Sequence, residues 1–118
     1  MDSPNYEKLN IWQDGMSLVK IVYQLTASFP REEIHGLTSQ IRRAAVSVPA
    51  NIAEGHGRGT KKEFRQFLII SRGSLQELNT LLELSKLLNY IKDSQYQEIR
   101  FQTLSLIRRI SSLMKNLV

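Results

Sequence analysis

Between Leu37 and Glu54 the apolar residues recur at helical spacing, and at about 100° per residue they sort into distinct zones. Leu37, Ile41, Ala45, Val48 and Ile52 fall on one side and predict a core stripe. Gln40, Arg43, Ser47, Asn51 and Glu54 form a narrow polar stripe beside it. Val46, Pro49, Ala50 and Ala53 make a second apolar face of small residues. A surface helix of a bundle needs only one apolar stripe, so this pattern predicts a helix over 37–55 that is covered from two sides. Pro49 lacks the N–H that would bond residue 45, which predicts a kink there or a break between Ser47 and Ala50.

The same periodicity continues on either side. A helix over 8–27 carries Leu9, Ile11, Trp12, Met16, Leu18, Val19, Ile21, Val22, Tyr23 and Leu25, a spread too wide for one packed face. Its breadth predicts burial against a further surface, most simply another subunit. Phe29 and Pro30 end that helix, and residues 31–36 turn into the second, with Thr38 or Ser39 near its start. A third helix, 61–88, opens at Thr60 with Glu63 completing a capping box. Phe64, Leu68, Ser71, Leu75, Leu78, Leu82 and Ser85 give it a three-four spacing. Ser71, Gly73 and Ser74 thin its middle, which predicts close approach by the second helix. The last helix, 94–116, begins near Asp93 or Ser94 with Gln97 as the capping partner, and places Ile99, Thr103, Leu106, Ile110, Leu113 and Leu117 on its core side. Residues 1–7, with Pro4, are polar and predict a frayed or folded-back end. Four helices with short links and no strand signal give an all-α, antiparallel up-and-down four-helix bundle within a single domain, 1–118.

Several segments together carry a family resemblance. They are Leu9 to Gln13, Leu25 to Pro30, Gly36 to Gly55 (GLTSQIRRAAVSVPANIAEG), Glu63 to Leu68 and Gly73 to Leu78. They resemble the bacterial four-helix-bundle proteins encoded by intervening sequences of large-subunit ribosomal RNA genes, over nearly the whole chain. The resemblance implies a ring-like homo-oligomer, a pentamer, and an analogy to the accessory variability determinant of diversity-generating retroelements, a basic pentamer that binds nucleic acid. It implies no enzymatic activity and no cofactor.

Charge agrees with a polyanionic partner: the 118 residues carry a net +5 and a pI near 9.7. The candidate nucleic-acid contacts are Arg42, Arg43, Arg58, Lys61, Lys62, Arg65, Arg108 and Arg109, set against an RNA or DNA backbone. Trp12, Pro49, Asn51, Glu54 and Ser74 are assigned to structure and assembly, with Arg43 pairing a carboxylate and Asn51 bridging backbone groups across a subunit seam. The competing reading is a protein-interaction scaffold whose charge serves solubility.

Enzyme signatures do not assemble. With no cysteine the chain lacks thiolate chemistry, disulfides and cysteine zinc sites. The run Gly55-His56-Gly57-Arg58-Gly59 is a helix exit in which Gly55 or Gly57 takes the left-handed conformation. It matches neither the phosphate loop, because no Ser or Thr follows Lys61-Lys62, nor a dinucleotide fingerprint, because no strand precedes it. Di-metal bundles need a Glu-x-x-His pair on each of two helices; Glu32-x-x-His35 has that spacing but sits in the turn before the second helix, His56 lacks it, and nothing localises a Ser-His-Asp triad. No apolar run suggests a leader or a membrane span, so the expectation is a cytoplasmic protein.

Overall fold

The computed structural model describes residues 5–118, so the expectation for Pro4 and its neighbours at 1–4 lies outside the described residues. Residues Asn5–Lys8 form a 3₁₀ turn that packs on the first two helices. Four α-helices follow: α1 Asn10–Thr26, α2 Leu37–Gly57, α3 Lys61–Leu87 and α4 Asp93–Lys115. The fold is all-α, with no strand among the described residues. Each helix touches its sequence neighbour, and α1 closes against α4.

Contacts fix the directions. Gly15 meets Pro49 while Thr26 meets Arg42, so α1 and α2 run antiparallel. Val48 meets Ser71 and Gly55 meets Phe67, which sets α2 against α3 in the same sense. Asn79 with Thr103 and Arg72 with Ser111 do so for α3 and α4. One end of the molecule therefore holds the start of α1, the end of α2, the start of α3 and the end of α4.

Inside, the core is built from the helical stripes. The buried residues of α3 are Phe64, Leu68, Ser71, Leu75, Leu78, Leu82 and Ser85, the three-four set of the sequence. In α2 the stripe Leu37, Ile41, Ala45, Val48 and Ile52 is buried together with Thr38, Ala44, Pro49 and Gly55. Tyr96 and Met114 join the α4 core, whereas Leu113 and Leu117 are only partly buried. Each fully buried leucine or isoleucine contributes about 1.5–3 kcal/mol relative to exposure.

Pro49 does not split α2, which is continuous through it. Its ring is buried against Gly15 of α1, where an added Cβ would lie 3.4 Å from the proline Cβ. Side chains bond the carbonyls just around it. Asn51 Nδ2 donates to Ser47 O at 2.8 Å, and Ser71 Oγ donates across to Val48 O at 2.9 Å. Only one ladder bond is lost to the missing N–H, and flanking bonds hold the helix together.

The glycines divide differently from their sequence reading. A Cβ added at Gly73 would meet nothing within 4 Å, so this residue does not mark the close approach to α2; Ser71 and Ser74 do. The tight point is Gly55, where a Cβ would fall 2.4 Å from Phe67 Cβ. Gly55 and Gly57 remain helical, and the left-handed turn belongs to Gly59, with φ +92°.

Caps complete the elements. Thr60 accepts from Glu63 N at 3.2 Å and opens α3. At α4, neither Asp93 nor Ser94 is the capping residue. Lys92 precedes the helix, and its N–H donates to Gln95 Oε1 at 2.8 Å. The N-terminus of α2 is capped from outside by Glu33, whose Oε1 accepts from Leu37 N at 3.2 Å. Glu33 Oε2 accepts from the Tyr90 hydroxyl at 2.8 Å, joining the two loops at that end, and Phe29 packs on the Tyr90 ring. Asn89, with φ 64°, closes α3, while Tyr90 N donates to Ser85 O.

Gly55→Ala should destabilise by about 1–3 kcal/mol because the methyl displaces Phe67, whereas Gly73→Ala should stabilise by about 0.5–1 kcal/mol because helix propensity improves in open space. Urea unfolding of the two variants tests the opposite signs. The hydrogen bond to Glu33, then desolvation and the charges of Glu33 and Glu32, raise the Tyr90 phenol above its ordinary 10.0. The folded state thus holds that proton more tightly, and its contribution is complete below pH 10 and lost as pH rises through the raised value. Tyr90→Phe should flatten this part of the alkaline decline in chemical-denaturation midpoints.

Candidate nucleic-acid interface

Cations on a helical protein become a binding surface only if their heads are free and lie on one side. Arg42 fails the first condition. It donates from Nε to Thr26 Oγ1 at 2.9 Å and stacks 4.5 Å over the Tyr23 ring, tying α2 to the end of α1. Thr26 in turn donates to Val22 O, so the link is buried at its root. Arg109 is likewise engaged, pairing with Asp14 at 2.7 Å across the α1–α4 seam. Arg58 pairs with Glu54 at 3.0 Å, one turn back on α2, and lies 5.1 Å over the Phe67 ring. That pair is about half exposed, so its contribution to stability is small.

Arg43, Lys61, Lys62, Arg65 and Arg108 form no ion pair with any described residue. Arg43 stands apart from the others, toward the opposite end of α2. It lines a hollow of about 350 Å³ between α2 and α3 with Gln40, Ser47 and Glu77, and no carboxylate reaches it within ion-pair distance. Arg65 is half-buried, with its Nε lacking a hydrogen-bond partner among the described residues.

What the fold brings together is the corner of α2 and α3. Arg58, Lys61, Lys62 and Arg65 lie at the same end of the molecule as the last turn of α4, which carries Lys115. Lys61 and Lys62 occupy the first turn of α3, where free N–H groups and the helix dipole already present positive potential. Cations there oppose the dipole and oppose each other. Glu63 is the acidic residue of that first turn, and Glu54 is paired with Arg58. Arg108 is exposed on the outward side of α4, two turns before its end.

The residues assigned to structure and assembly also find places. Trp12 is half-buried and meets the Tyr6 ring edge-on at 5.3 Å. Within this chain the Asn51 amide bonds Ser47 O and Ser47 Oγ along α2. Ser74 Oγ donates to Ser47 Oγ at 2.8 Å, extending that track from α3. Glu54 is spent on Arg58 rather than on Arg43.

Sequence reasoning passed over Asp14 and Tyr23, which decide the fate of Arg109 and Arg42; their only signal was a polar and an aromatic position on α1 flanking the core. No cluster of three or more metal-ligating side chains forms among the described residues. Nor is any described helix long and apolar enough to cross a membrane.

Among solved structures, the chain is similar to a protein of unknown function from the S23 ribosomal protein family of Bacteroides thetaiotaomicron. The two superpose with a TM-score of 0.78 at 24% identity, over 89% of this chain and 98% of that one. No curated protein matches. The profile of the 23S rRNA-intervening sequence protein family spans residues 7–112, from the 3₁₀ turn into the last turns of α4, and the chain belongs to that family.

Proposed function

We propose that this chain is a non-enzymatic helical-bundle protein that associates with copies of itself and binds the backbone of RNA or DNA. The observation that carries the reading is the α2–α3 corner, where Lys61, Lys62 and Arg65, free of ion pairs with any described residue, share one end with the open N–H groups of α3, beside the Glu54-paired Arg58. Such a surface suits phosphate oxygens and carries no base code, so binding is electrostatic and tolerant of sequence. Several copies would multiply the contact by avidity.

Self-association is supported by the side where α1 and α2 meet. Met16, Tyr23 and Val46 are 48%, 43% and 41% exposed there, with Ala50 also open and Trp12 and Val19 half-buried. A further copy would cover these residues, and the family resemblance points to a ring of five. The scaffold reading draws on a different patch: Leu84, Leu87 and Leu88 leave an apolar surface at the far end of α3 that a partner protein could cover.

Light scattering of the purified protein, with and without RNA or DNA and at two salt concentrations, should show an oligomer that gains mass at low salt and loses it as salt rises. An oligomer that ignores both polymers would leave the scaffold, and a monomer would remove the self-association. Replacing Lys61 and Lys62 by Gln should reduce the magnitude of the log-affinity against log-salt slope by about 2. It should leave folding stability unchanged or raised by about 0.3–1 kcal/mol, since the lysines oppose the dipole. Arg42→Met should do the reverse, lowering stability by about 1 kcal/mol with the slope unchanged.

A further inference from the structure

Phe101 is 73% exposed on the outward side of α4, the most open ring among the exposed large apolar residues. It borders a hollow of about 240 Å³ in the groove between α1 and α4. Leu106 forms an apolar floor, and Ser17, Gln102 and Ser105 supply hydroxyl and amide groups on the walls. The Asp14–Arg109 pair closes one side, with the Arg109 Nε buried and without a hydrogen-bond partner among the described residues. An apolar ring beside a polar-walled hollow matches a flat heterocycle that stacks through its face and hydrogen-bonds through its edge.

The surroundings favour a charged chain attached to that heterocycle. Phe101, Arg108 and Lys115 recur every seven residues and are all exposed, so they form one row along α4. Antiparallel packing of α3 on α4 leads this row toward the end that holds Lys61, Lys62 and Arg65. The hollow lined by Arg43 and Glu77, by contrast, has no ring on its walls.

We propose that the α1–α4 hollow receives an unpaired base of a bound nucleic-acid strand, stacked on Phe101, while Arg108 and Lys115 follow the strand's phosphates. This rests on the nucleic-acid reading above and adds to it a preference for single strands. Duplexes keep their bases stacked on one another and offer the hollow nothing.

Three labelled probes of equal length, about 12 nucleotides, separate the terms: single-stranded RNA, the same strand without bases, and a duplex. At about 50 mM salt the wild type should bind the base-bearing strand most tightly. Phe101→Ala should weaken that strand by about 5- to 100-fold, the effect of losing one stacked base, and leave the abasic strand and duplex nearly unchanged. Phe101→Trp should retain the binding. Circular dichroism and the mass of the free variants serve as controls. Equal binding of base-bearing and abasic strands, or an unaltered Phe101→Ala, would overturn the stacked base and leave backbone binding standing. Failure of the wild type to bind any probe would remove both. A Phe101→Ala variant whose mass falls without nucleic acid would assign the ring to a subunit contact and overturn the proposal.

Discussion

The structure depends on a proline buried in the middle of its central helix. Pro49 cannot donate to Ala45 O, and a helix interrupted in this way ordinarily bends or ends. Here both neighbours are shaped to accept it. Gly15 on α1 leaves room for the ring, and Ser71 on α3 donates to the carbonyl of the preceding residue. Asn51 and Ser74 extend the bonding along Ser47. The outcome is a helix held by polar bonds on its α3 side and by shape on its α1 side, and the remaining helices are arranged around it.

That arrangement decides which charges are available. A cation beside a helix seam finds a carbonyl, a hydroxyl or a carboxylate within reach, as Arg42 and Arg109 do, and its contribution then goes to holding helices together. A cation at an end or on an outward face meets mainly water. Lys61, Lys62 and Arg108 are of this second kind, and their freedom follows from their position on the helices and not from their residue type.

Much of the fold was legible because burial follows periodicity. The three-four spacing of α3 named its buried residues, and Thr60 with Glu63 marked where that helix begins. Glycines were misread because their meaning lies in what stands opposite. Gly55 faces Phe67 on the next helix, whereas Gly73 faces nothing, and neither fact has a local signature. Long-range pairs were hidden for the same reason: Asp14 and Arg109 stand 95 positions apart. The hollow beside Phe101 had no local signature either, because it needs two helices that are not consecutive. Of the candidate cations, chemistry alone could nominate every one; only the seams could sort them.

The α2–α3 corner also shows why its lysines are hard to explain as structure. A first helical turn favours acidic residues, since its N–H groups carry the positive end of the dipole. Glu63 follows that rule and Lys61 and Lys62 break it, one after the other, with Arg58 and Arg65 nearby. The adverse interaction is of the order of 0.3–1 kcal/mol for each charge at an exposed site. None of the described ion pairs relieves the two lysines, and no core contact depends on them. A solvated loop kept basic for solubility could place those charges anywhere on the surface. The proposed anionic ligand would give them a reason to be at this end, because there the charges and the unpaired N–H groups would act on it together.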